Sequence, residues 1–165
     1  MKSKAKDILK KRDELSNTIT KYWNIIHVEN VVNKNYKRHY DLKALYNDIL
    51  NMCEERSLTK LKALCINLGL FKFGDLPTDN IQLDIFKLAE YKEIKIRLNK
   101  VRTISPKSKA KGKKNLNKTE VLTSDWIKAR IKELDIKIID IEKKIEEFNE
   151  AKELDETTAP MSLVA

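Results

Sequence analysis

The sequence predicts an all-α protein: an elongated bundle of four to five helices ending in a long, coiled-coil-like C-terminal helix. Three observations lead there. Only three Gly and three Pro occur in 165 residues, too few turn-formers for a many-stranded sandwich or barrel. Charged residues make up 36% of the chain and apolar residues 41%, a balance that suits long helices and is too apolar for a disordered chain. Apolar residues also recur at steps of three and four along most of the length.

A first helix is expected over about residues 3–30, where Ala5, Ile8, Leu15, Ile19, Tyr22 and Ile26 form one stripe. Arg12 stands in that stripe where an apolar residue is due. The stretch Asn33-Lys34-Asn35-Tyr36-Lys37-Arg38-His39-Tyr40 links it to the next helix. From Asp41, the residues Leu42, Leu45, Ile49 and Met52 renew the rhythm. Ser57 reads as the end of that helix and the cap of another, which carries Leu58, Leu61, Leu64, Cys65 and Leu68. Gly69, Gly74 and Leu76-Pro77-Thr78-Asp79 mark a loop.

Asp79, three residues before Gln82, resembles the opening of a capping box and starts a helix that runs to about Val101. Within it, the alternation Glu93-Ile94-Lys95-Ile96-Arg97-Leu98 suits a strand equally well. Residues 102–122 contain Ser105-Pro106, Gly112, six lysines and no apolar period. They read as a loop inserted between the last two helices, either functional or disordered at that length.

The last helix carries the clearest signal. Thr123-Ser124-Asp125 supplies a cap and an acidic first turn. Ile127, Ile131, Leu134, Ile138, Ile141, Ile145 and Phe148 then follow at alternating steps of four and three, a heptad seam. A parallel self-pair through this seam sets Arg130 against Asp135 and Lys137 against Glu142. The competing arrangement packs the seam on the chain's own first helix, with Ile136 and Ile139 widening its apolar surface. Residues 1–154 are expected to form a single domain and residues 155–165 a tail.

The net charge is +9, unevenly spread. Residues 102–118 carry seven basic side chains and no acidic one, whereas residues 119–165 carry twelve acidic and seven basic. The basic excess either holds phosphate or reflects AT-rich coding, because Lys outnumbers Arg 28 to 6. Lys107, Lys109, Lys111, Lys113, Lys114 and Lys118 are candidate phosphate contacts. A second candidate stretch interleaves Lys34, Lys37 and Arg38 with Tyr36 and Tyr40, combining charge with stacking surface.

Enzyme chemistry is not expected. Gly69, Gly74 and Gly112 form neither a dinucleotide fingerprint nor a P-loop. His27 and His39 lack companions at ligand spacing, so no metal or other cofactor is expected. Cys53 and Cys65, twelve apart in apolar surroundings, read as buried reduced thiols. The charged N-terminus leads into no apolar core of a secretion signal, and no stretch is long enough to cross a membrane. A cytoplasmic protein, or one made there and incorporated into a particle, is expected.

The layout resembles the septicolysin-like family of small helical bacterial and phage proteins. The resemblance rests on the opening helix Ala5-Lys6-Asp7-Ile8-Leu9-Lys10-Lys11-Arg12-Asp13-Glu14-Leu15, on Leu88-Ala89-Glu90 with Ile94-Lys95-Ile96-Arg97-Leu98, and on the run from Arg130-Ile131-Lys132-Glu133-Leu134-Asp135 to Lys144-Ile145-Glu146-Glu147-Phe148-Asn149. Asn67-Leu68-Gly69-Leu70-Phe71 departs from the polar, Asn-rich turn of that layout. The resemblance implies a helical fold and no particular activity. The expected function is therefore a non-enzymatic interaction or assembly protein, paired with itself or with another protein. The alternative is a nucleic-acid-binding subunit of a larger complex.

Overall fold

The computed structural model describes residues 4–70, 72–104 and 117–154. Among them four helices follow one another: α1 (Ala5–Glu29), α2 (Leu42–Asn67), α3 (Gln82–Asn99) and α4 (Ser124–Ala151). The fold is all-α, and the described residues add to the helices a 3₁₀ turn (Phe73–Asp75) and two short strands, β1 (Val31–Asn33) and β2 (Lys118–Glu120). These pair antiparallel, with Val31 opposite Glu120 and Asn33 opposite Lys118. The expected tail at 155–165 lies outside the described residues.

Each helix packs on the next in the chain. Lys11 pairs with Glu55 and the Trp23 ring meets Tyr46 edge-on, so α1 and α2 run antiparallel. The same holds for α3 and α4: Lys95 meets Asp135 at 2.5 Å and Lys92 meets Glu142 at 2.7 Å, while Lys152, just past α4, reaches Asp79 before α3.

The C-terminal seam thus finds a partner inside the chain, and that partner is α3 rather than the expected α1. Ile127, Leu134, Ile138 and Ile141 are buried; Ile131, Ile145 and Phe148 are half-buried. The carboxylates of Asp135 and Glu142, which would serve a parallel self-pair, face lysines of α3 instead. The Lys137 ammonium sits 5.2 Å from the centre of the Tyr91 ring, which ties a third position of α4 to α3.

Local chemistry explains the other departures from expectation. Ser57 neither ends nor caps a helix. It is wholly buried and its hydroxyl donates to the Cys53 carbonyl at 3.0 Å, so α2 runs unbroken for 26 residues. α2 ends where Gly69 takes φ +72°, with Gly69 N–H donating to Ile66 O and Leu70 N–H to Cys65 O, a Schellman motif. α3 is opened by Asn80, whose Oδ1 accepts from the Gln82 amide at 2.8 Å, because Asp79 is taken by Lys152. The alternating stretch 93–98 is helical: Ile94 and Leu98, four apart, are buried while Ile96 is exposed. Thr123 caps α4 as its sequence predicts, accepting from the Trp126 amide at 3.2 Å.

Between α1, α2 and α3 the interior turns polar. Glu90 is buried, and Arg56 grips its carboxylate with both Nε, at 2.9 Å, and Nη2. Lys60 adds a contact of 2.8 Å. Burial pushes the Glu90 carboxyl up, but hydrogen bonds and charge from Arg56 and Lys60 outweigh it and hold the group below its ordinary value. The Cys53 thiol beside it is pushed up to about 12 by burial and by the Glu90 charge, so it stays a neutral core group.

Two measurements follow by chemical denaturation. Ile138 is 8% exposed and its neighbour Ile139 is 64% exposed. Ile138→Ala is expected to destabilise by about 2–5 kcal/mol and Ile139→Ala by less than about 0.5 kcal/mol. Glu90→Gln leaves two cations without a counter-charge and is expected to cost about 3–5 kcal/mol at neutral pH. Folded Glu90 binds its proton more weakly than unfolded Glu90, so its contribution is complete above the ordinary value of 4.5 and is lost as the pH falls through the lower folded value. The gap between wild type and Glu90→Gln should therefore close in acid.

Candidate nucleic-acid interface

The ribbon is built around the end of α1. Asn30 follows Glu29 with its side chain wholly buried. Its Oδ1 accepts from the Leu122 amide at 2.7 Å and from the Val121 amide at 3.3 Å. Its Nδ2 donates to the carbonyls of Arg102 at 2.8 Å and Leu122 at 2.9 Å. One carboxamide thus holds both ends of the 102–122 connection. The Ile104 amide donates to Glu120 Oε2 at 2.6 Å, and the Lys34 amide donates to Asn117 O at 2.7 Å, one step beyond the paired strands. Residues flanking 105–116 on both sides are therefore anchored at the ribbon.

Lys118, at the end of the second basic stretch, comes beside the first here. Lys118 lies half-buried in β2, and Lys34 and Lys37 are exposed just after β1. Lys107, Lys109, Lys111, Lys113 and Lys114 lie outside the described residues. Tyr40 is 48% exposed, open enough for a base to stack on its ring.

Arg38 and Tyr36 have other work. Arg38 Nε donates to Glu29 O at 2.9 Å, and Nη2 donates to Asn30 O at 2.9 Å and Thr119 O at 2.8 Å. A guanidinium bonded to three main-chain carbonyls acts as a structural clamp, which leaves Arg38 only its Nη1 donors for the phosphate contact expected of it. Tyr36 donates its hydroxyl to Glu29 Oε1 at 3.1 Å, and that bond raises the phenol above its ordinary value. Its ring also packs edge-on against His39, 5.7 Å between centres. Tyr36 therefore helps order the loop while it stays 42% exposed.

Sequence reasoning passed over other members of this end of the molecule. Lys100 and Arg102 are exposed at the end of α3, which meets the end of α1 through the Asn30–Arg102 bond. The His27 imidazole is lowered from its ordinary 6.5 by burial and then by the charges of Arg97 and Lys100. Three separated pieces of chain thereby form one cationic end, and no local motif announces it because the pieces converge only through Asn30 and the ribbon. The buried Asn30 itself carried no sequence signal beyond a polar residue closing a helical stripe.

No family model, curated protein or solved structure matches this chain. Among the described residues, no helix is long and apolar enough to cross a membrane, and no group of three or more His, Cys, Asp or Glu could hold a metal ion.

Asn30→Ala strands buried backbone groups of residues 102, 121 and 122 and is expected to destabilise by at least about 2 kcal/mol. Amide hydrogen exchange should report that loss most strongly at Val121 and Leu122.

Proposed function

We propose that this chain is a non-enzymatic interaction module that holds nucleic acid by its phosphates, with the ribbon end as the contact surface. One observation carries the reading: β1 and β2 bring Lys34 and Lys37 beside Lys118, at the same end as Lys100 and Arg102. Ammonium groups on exposed side chains displace counterions from a phosphate backbone without reading bases. Tyr40 beside them supports contact with unpaired bases. The clamp made by Arg38 and Asn30 keeps the surface in place without taking part in it.

The test is titration of a generic RNA and a duplex DNA at two salt concentrations. Affinity should fall steeply with salt, and Lys34→Glu, Lys37→Glu and Lys118→Glu combined should flatten that dependence by about three phosphate contacts, at about 0.9 per contact for duplex and 0.7 for single strands. Bound phosphates also screen Arg97 and Lys100, so the His27 titration followed by NMR should move upward toward its ordinary value on binding. Absence of binding at about 50 mM salt, where phosphate contacts are strong, overturns the reading.

A second reading, assembly with further copies of the same chain, is favoured by Ile136 and Ile139. They remain 62% and 64% exposed on the face of α4 away from the seam. A solution mass above that of the monomer, returned to the monomer by Ile136→Glu with Ile139→Glu, would support it.

A further inference from the structure

The polar interior between α1, α2 and α3 opens into a cavity of about 400 Å³, lined by Arg12, Ser16, Arg56, Lys60, Glu90 and Glu93. We propose that this cavity is a binding site for a small phosphate-bearing molecule. It is a different place from the ribbon end: Arg12 and Glu29 are separated by roughly 25 Å along α1, at 1.5 Å per residue.

Arg12 is the anomaly that points to it. The spacing of the α1 stripe calls for an apolar side chain here, between the buried Ile8 and Leu15, and an arginine stands there at the rim of the cavity, its side chain 41% exposed. A charged residue at a core position is normally matched by an opposite charge within the interior. Here the match runs the other way. Arg56 and Lys60 already exceed the single charge of Glu90. Arg12 turns Nε and Nη2 to Asp13, whose side chain is 63% exposed. Glu93, the other carboxylate of the lining, is paired with Arg97 at 2.7 Å. The walls therefore carry a surplus of positive charge around a space larger than a bare phosphate.

The donors suit an oxyanion. Two guanidinium groups and an ammonium line the cavity from two helices. Arg56 is held by Glu90 and Ser16, so the donors left for an oxyanion are Nη1 of Arg12 and the remaining N–H groups of Lys60. Lys60 directs one hydrogen bond to Glu90 Oε1, and an ammonium carries three donors. Ser16 holds the arrangement rigid: its hydroxyl donates to Arg12 O at 3.0 Å and accepts from Arg56 Nη1 at 3.1 Å. Glu90 fixes Arg56 and Lys60 in place while leaving their excess charge unneutralised.

The experiment titrates the isotopically labelled chain with sodium phosphate and, separately, with sodium chloride at matched ionic strength. Saturable amide shifts at Ser16, Lys60 and Glu90 in phosphate alone are expected. Arg12→Gln, which spares the Arg56–Glu90–Lys60 cluster, should weaken them about tenfold, the effect of losing a charge-assisted hydrogen bond. Arg12→Lys, which keeps the charge without the fork, should recover only part. Linear shifts, equal shifts in chloride, or unchanged affinity in Arg12→Gln overturn the proposal. The ribbon variants Lys34→Glu, Lys37→Glu and Lys118→Glu should leave this titration unaltered, so the outcome is independent of nucleic-acid binding.

Discussion

The carboxamide of Asn30 is wholly buried where α1 ends, and both of its polar atoms are satisfied by the main chain of the 102–122 connection. Removing such a group from water is unfavourable unless every donor and acceptor is met. The geometry of residues 102, 121 and 122 is accordingly bound to the position of α1. The main helix contacts run in succession, each helix packed on the next, with Tyr46 of α2 also meeting Trp126 of α4 edge-on. Through Asn30, the end of α1 also fixes the end of α3 and the approach to α4. Arg38 reinforces the joint by spanning Glu29, Asn30 and Thr119 with one guanidinium.

Apolar burial stabilises the helix pairs, and ion pairs flank it. The Lys95–Asp135 and Lys92–Glu142 pairs are each about half exposed, where an ion pair contributes about 0–1 kcal/mol. The buried isoleucines and leucine of the α4 seam contribute more, at about 1.5–3 kcal/mol each before entropy. Yet an apolar seam alone does not distinguish α1 from α3, and in this fold the flanking charges of α4 meet lysines of α3. The buried Glu90 cluster acts differently. Its carboxylate is almost entirely removed from solvent, at 3% exposure, so its cations are required rather than optional.

The helices were legible because their apolar steps are long and regular, and the cap at Thr123 and the stop near Gly69 follow from local chemistry. Ser57 misled because a buried serine can satisfy its hydroxyl on the preceding turn, a possibility composition does not separate from capping. The partner of the seam was not legible, since heptad spacing specifies a face and not what covers it. Of the candidate contacts, Lys34, Lys37, Lys118, Tyr36 and Tyr40 keep accessible surface, although Tyr36 also bonds Glu29, whereas Arg38 is bonded to three main-chain carbonyls. An arginine bonding carbonyls and one awaiting phosphate look identical until the backbone is known.

The Asn30–Leu122 bonds join residues 92 apart in sequence, which gives the joint a particular place in time. Helical turns and neighbouring helix pairs close short loops and form early, whereas a contact at that separation must await a long loop closure. The ribbon should therefore be among the last features to assemble. Ordering at the cationic end then lags behind the rest of the chain. A nascent molecule would acquire its helices before it acquires a defined surface to offer a partner.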